Sequence, residues 1–328
     1  MRERDFIMTA AVESMMYVGD VPWHGLGTYV GDEPVVSQEA IIQAGLNWDV
    51  KKVPISMSPN GYAQEIDSHV AMIRETDKSF YGIVGKGYEP VQNLGAFKFM
   101  DGLIEDGSMR YHTAGSLRDG RNVWLLGKVG TAEIVPDDKV DHYLMLWNSH
   151  DGSSALRVFF TTVRVVCANT AQVALREGKG QGVSLRHTAN IRNRLAQSRE
   201  VLQLGIKAFE QHTDFAKHLA SVSLDVAKWT DFVTTLIPDP IEGASERSLS
   251  IVRNKRDKIE ELFLTGRGNA MNGVKGTAWA AQNAVVEYQN YHRLGENVKE
   301  RGEKQFEASL FGSGAQMIKK ANELLLVA

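Results

Sequence analysis

One cysteine, Cys167, is all the chain contains, which excludes an internal disulfide framework and any Cys-x-x-Cys metal site. Within the apolar run VRVVC it reads as a small buried hydrophobe. Runs of about 18 apolar residues are missing too, so no membrane-spanning helix is expected. The N-terminus carries Arg and Glu without a continuous apolar stretch, which argues against secretion and makes the cytoplasm the expected compartment. Linear catalytic signatures are equally scarce. The nine histidines show no HExxH or HxH spacing. GxSxG, GxxxxGK[ST] and GxGxxG do not occur, and Gly85-x-Gly87 alone is a weak phosphate-loop signal.

A 328-residue chain with 43% hydrophobic and 23% charged residues has enough material for a substantial core. Its net charge of −3 is unevenly spread. Residues 157–199 hold eight cations and one anion, a net +7, which leaves −10 for the rest. Segregation of this kind is what a local polyanion site needs.

The stretch 140–176 organises the chain. Two runs, His142–Trp147 and Ala155–Cys167, are dense in β-branched, aromatic and large apolar residues. Asn148–Ser154 between them is a cluster of turn formers around Gly152, so the pair reads as a β-hairpin. Upstream, Arg110–Leu117 and Asn122–Val129 flank Arg118-Asp119-Gly120-Arg121, a second hairpin signal. About four consecutive antiparallel strands are expected from 110 to 167. Earlier strands are expected over 48–57, 62–74 and 79–84, giving one antiparallel sheet from Trp48 to Arg176. Ser37 reads as the cap of a short helix that ends at Gly45, and Asn93 as the N-cap of a helix through Ile104. From Thr188 the period becomes helical to about His212, and this long helix is expected to pack across the sheet.

The expected fold class is therefore α+β: a central twisted antiparallel sheet with a long helix packed across it, followed by a helical C-terminal region. Residues 1–237 form the mixed core, with 1–35 its irregular start. Residues 238–247, around Pro238 and Pro240, read as a linker, and 248–328 as helical, with helices over 248–264, 277–291 and 313–327.

Candidate chemistry is sparse. His24 in PWHGLG reads as part of a loop whose Trp23 plugs the core edge rather than as a base. His150-Asp151 is a candidate base with its orienting carboxylate, weighed against ordinary turn residues. Asp137-Asp138 reads as a solvated loop pair rather than a cation site. The strongest candidate is a nucleic-acid groove. Arg157, Arg176, Lys179, Arg186, Arg192, Arg194 and Arg199, with Arg118 and Arg121 of the neighbouring turn, supply phosphate-seeking cations. Tyr111 and Trp124 supply stacking rings, weighed against plain core aromatics. Arg164 falls on the opposite strand face from Arg157.

PWHGLG (22–27), GYEPVQN (87–93), SHDGSSALRVFFTTVRVVCANT (149–170), LRHT (185–188) and GTAWAAQNAVVEY (276–288) together resemble a phage- and plasmid-borne family described only as a domain of unknown function. One departure is Trp279-Ala280, where a Trp-Gly pair is expected. The resemblance implies a mobile-element origin in a bacterial host and supplies no catalytic residues. By pattern, the sheet, following helix and helical tail are also similar to the phage single-strand annealing proteins of the Erf, RecT and Red-beta kind. That likeness implies a binding protein for single-stranded DNA in recombination. It would self-associate into a ring or filament and consume no cofactor. The competing expectations are an interaction protein that counters a host defence system, and an enzyme with no linear signature.

Overall fold

The computed structural model describes residues 12–19, 27–32, 35–104, 109–164, 169–172, 182–191, 193–194, 199–295, 297–298, 304, 308–309 and 312–327. His24 and Cys167 lie outside them. The main sheet has eight strands. Its centre is a meander of β6 (Arg110–Leu117), β7 (Asn122–Val135), β8 (Asp138–Ser149) and β9 (Leu156–Arg164), as the turn chemistry predicts. β10 (Asn169–Gln172) and β11 (Val183–Leu185) share the outer edge of β9. At the other edge stand β1 (Val12–Tyr17) and the two-residue β2 (Thr28–Tyr29).

Two sheets stand where the sequence suggests one. β3 (Val50–Met57), β4 (Gln64–Arg74) and β5 (Phe80–Gly85) form a separate three-stranded antiparallel sheet, while the main sheet takes β1 and β2 from the segment read as irregular. Strand periodicity fixes which residues face inward but not which strand pairs with which.

The first core fills the space between the sheets. Ala114, Val123, Leu125, Leu144, Leu146, Leu156 and Val158 come from the main sheet, Met72, Tyr81 and Val84 from the small one. α1 (Ser37–Gln43) and α2 (Asn93–Ile104) complete it through Ala40, Ile41, Phe97 and Met100. Truncating a fully buried Leu such as Leu125 to Ala would cost about 2–5 kcal/mol here. Both expected caps are used otherwise. Ser37 lies inside α1 and donates to Asp101 Oδ2 on α2 at 2.7 Å, while Asn93 turns its amide into the core. Gly45 does end α1, in the left-handed conformation at φ 67°.

The β7–β8 hairpin is too long for this core, and its far end enters a second one. Ala132, Ile134 and Val140 pack among α3 (Arg199–Ser221), α4 (Val226–Leu236), α5 (Glu246–Thr265), α6 (Ala278–Glu287) and α7 (Ser313–Leu325). Asp138, at the tip, is fully buried and accepts a hydrogen bond from Trp279 Nε1 at 2.8 Å. The solvated pair expected at 137–138 is thus half wrong: Asp137 is exposed and Asp138 anchors the hairpin to α6.

α3 begins at Arg199 and reaches Ser221, displaced toward the C-terminus from the expected 188–212. Ile191, in a helical turn before it, is buried in the first core. Segment 238–247 connects two helices of one apolar cluster, since Leu236 and Ile237 on one side pack with Ile259 and Leu262 on the other. Arg256 holds it there, donating from Nε and Nη2 to Ile237 O and pairing with Asp239 at 2.8 Å. No helix among the described residues is long and apolar enough to cross a membrane.

Candidate functional site

Strand and turn geometry bring three distant stretches, 88–93, 148–154 and 187, to one junction between the two sheets. Tyr88 stacks on His187 with centroids 4.7 Å apart and donates from its hydroxyl to Ser149 O at 2.7 Å. Burial pushes the Tyr88 hydroxyl well above its ordinary pKa, so it stays protonated as a donor. Asn148 donates from Nδ2 to Val91 O, and His187 Nδ1 lies 3.2 Å from Glu89 O.

His150 sits at the centre and is 0% exposed. Asn93 spends both Nδ2 hydrogens on Leu46 O and Trp48 O, so its Oδ1 must accept from His150 Nε2, 2.9 Å away. The tautomer follows: Nε2 carries the hydrogen and Nδ1 a lone pair. By the same reasoning His187 donates from Nδ1 to the Glu89 carbonyl, leaving a lone pair on Nε2. His150 Nδ1, His187 Nε2 and Asn148 Oδ1 are buried acceptors with no hydrogen-bond partner. Each is a place for a hydrogen from water or a ligand.

The electrostatics follow from burial. Desolvation, with His187 nearby, lowers the His150 pKa to about 3, and burial lowers that of His187 as well. Both rings are neutral acceptors at ordinary pH. Of the two readings weighed for His150-Asp151, these contacts favour structural turn residues over a base with its orienting carboxylate. Asn93 orients His150, while Asp151 Oδ1 accepts from Ser149 Oγ at 2.5 Å and Ser153 N at 2.8 Å. A histidine held neutral down to acid pH positions hydrogen bonds but does not shuttle protons.

Arg74 braces this junction. Its guanidinium lies 4.7 Å from the Trp48 ring centroid and donates to Tyr81 Oη (2.7 Å), Glu13 Oε1 (2.7 Å) and Asp119 O (2.6 Å). Gly120 is required beside it, because a Cβ there would stand 2.5 Å from both Arg74 Nη2 and Tyr81 Oη. The sequence reading missed Arg74. Its signal was a charged residue continuing the inward alternation of Val70 and Met72.

Among the described residues, those expected to bind nucleic acid do not gather in one groove. Arg121 is structural: it donates from Nε to Tyr81 O (3.3 Å) and from Nη2 to Phe80 O (3.2 Å), fastening the β6–β7 turn to β5. Arg118 occupies that turn at φ 54° and is half-buried. Tyr111 is buried in the first core, with its hydroxyl on Phe97 O and Asp101 Oδ1. Trp124 is buried on the opposite face of the sheet with Met145, Trp147 and Phe159. Neither ring has a free face for a base, because strand alternation turns both into packed layers. Arg157 lies opposite Ser184 on β11, on the face away from the first core, and exposed Arg186 continues the Ser184 side. Arg194 is exposed. Arg164 ends β9, in register with Val140 of β8. Arg176, Lys179 and Arg192, and the side chain of Arg199 at the start of α3, lie outside the described residues. Among the described residues no three His, Cys, Asp or Glu are placed to hold a metal ion.

These features define a two-core α+β protein: a β-meander whose sheet junction is locked by neutral histidines and whose long hairpin is gripped by a helical layer. The family model described as Domain of unknown function (DUF932) matches residues 80–311, and the chain belongs to that family. The match spans the stretches 88–93, 148–154 and 187 that meet at His150, and leaves PWHGLG outside it. No curated protein and no solved structure matches the chain.

Proposed function

We propose that the protein is a phage or mobile-element protein that binds single-stranded DNA in the bacterial cytoplasm and promotes strand annealing in recombination without a consumed cofactor. The observation that supports this reading is the outer face of the β9–β11 ladder. Arg157 and Arg186 share it, and Arg194, later in the same segment of net +7, is exposed. Guanidiniums on a sheet face neutralise phosphates without reading bases, which suits a sequence-independent ligand. Self-association into a ring or filament would align such faces along a DNA strand. The test is fluorescence anisotropy of a labelled single strand over a salt series, with annealing of complementary strands as the functional arm. Binding whose log K falls linearly with log salt supports the reading, and no binding at low salt removes it.

A second reading, an interaction protein acting on host defence, draws on the outer face of the small sheet. Val53, Ala71 and Ile83 form one cross-strand row, Ile73 and Phe80 the next, with Phe80 54% and Ile83 56% exposed. Cations Lys51, Lys52, Lys78 and Lys86 are matched on this sheet by Glu65, Asp67, Glu75 and Asp77, which gives a polyanion no net attraction. Under this reading Ile83→Asp abolishes the effect in the host and leaves DNA binding intact.

A further inference from the structure

α6 does not end as an ordinary helix. Its continuation, Tyr288–His292, is a π turn. Five residues are about 140° apart around an α-helix of 3.6 residues per turn, but the wider turn, with its hydrogen bonds to the fifth residue, brings positions i and i+5 much closer to one line. Tyr288 and Arg293, which follows the turn, are such a pair. Lys255 arrives from α5, with Nζ 5.8 Å from the centroid of the Tyr288 ring. Lys255 and Tyr288 thus meet between two helices, with Arg293 close enough to act electrostatically on both.

Among the described residues no carboxylate pairs with either cation. Among the described residues the ion pairs of α5 and α7 join Arg256 to Asp239, Lys258 to Glu261 and Lys319 to Glu323, and none involves Lys255 or Arg293. Among the described residues Arg293 makes one long hydrogen bond, from Nη2 to Lys304 O at 3.4 Å, while its Nε is buried with no partner. Burial, and then Arg293, disfavours the charged form of Lys255. Like charges half out of water beside an unused guanidinium donor are unfavourable unless an anion joins them.

We propose that Lys255, Tyr288 and Arg293 bind a phosphate group. The guanidinium offers a fork of N–H donors for two oxygens, the ammonium a point charge and the phenol a further donor. Donors from three side chains suit a tetrahedral oxyanion better than a planar carboxylate. The phosphate is that of a nucleic-acid backbone or a free phosphate or phosphomonoester. The site is independent of the β9–β11 face, and the double variant Arg186→Ala/Arg194→Ala should leave it intact.

The test is thermal melting and isothermal titration with inorganic phosphate against chloride at equal ionic strength. The wild type should show a saturable, phosphate-specific rise in Tm. Arg293→Gln should lose most of it, and Lys255→Gln/Arg293→Gln all of it. Freed of its repelling pair, the double variant should melt no lower than the wild type in phosphate-free buffer. Absence of a phosphate-specific rise in the wild type overturns the site, as does an equal rise in the double variant. Should the double variant fail to fold, Lys255→Gln alone must still weaken phosphate binding in the titration. Competition by an oligothymidylate assigns the phosphate to a nucleic-acid backbone, and undisturbed phosphate binding in its presence assigns it to a free phosphate or phosphomonoester. Both results uphold the site.

Discussion

His150 offers the sharpest energetic test of the sheet junction. Its folded-state pKa, about 3, lies below the value of about 6.5 it has in an unfolded chain. A depressed pKa on a base means that the neutral form is favoured in the fold. Its contribution is fully present above about pH 6.5 and is lost as pH falls toward 3. Each pH unit below 6.5 costs about 1.36 kcal/mol, so near pH 5 this residue alone removes about 2 kcal/mol. His142 and His212, whose Nε2 and Nδ1 lie 3.1 Å apart between β8 and α3, are depressed by burial too and act in the same direction. Against a total stability of about 5–15 kcal/mol, these losses bring the fold close to its limit in mild acid. The perturbation is His150→Gln, which keeps an N–H for Asn93 and cannot titrate. Urea unfolding at about pH 7 and about pH 5 should show a variant that is weaker at neutral pH but loses about 2 kcal/mol less than the wild type on acidification. Equal pH losses in the two proteins would refute the claim that burial holds this ring neutral.

Arg121→Ala should lower stability by about 2 kcal/mol, since it frees the Phe80 and Tyr81 carbonyls, and leave the salt dependence of DNA binding unchanged. Chemical denaturation and anisotropy on the same variant check both halves. Gly115→Ala would place a Cβ 2.5 Å from Ser14 O and the Trp124 ring, so overpacking of about 1–3 kcal/mol should appear as a lower Tm. An unchanged melt would contradict that contact.

Local signals survived folding and non-local ones did not. Asp119-Gly120 and the Asn148–Ser154 cluster fix hairpins because a turn is decided by a few adjacent residues. The C-terminal helices followed from apolar period, to within a few residues at α5 and α7. Recruitment of β1 to β6 joins residues about a hundred positions apart, and no pattern within either strand specifies that partner. Capping readings failed where a stronger partner was available, as with Ser37 on Asp101 and Asn93 on His150. Tyr111 and Trp124 show a second limit, since alternation is the same for a ring that packs a core and one that stacks a base. His150 was visible as a candidate, but its partners Asn93, Trp48 and Tyr81 are brought together only by the fold. Linear spacing could not reveal that junction.

The claim of a phosphate-neutralising β9–β11 face is tested most directly by the salt dependence of single-strand binding in Arg186→Ala/Arg194→Ala. Each phosphate contact contributes about −0.7 to the slope of log K against log salt on single strands. Loss of two should flatten that slope by about 1.4, weaken binding to every sequence alike and leave the fold's stability within about half a kcal/mol. Unchanged affinity and an unchanged slope in the double variant would contradict the DNA-binding account.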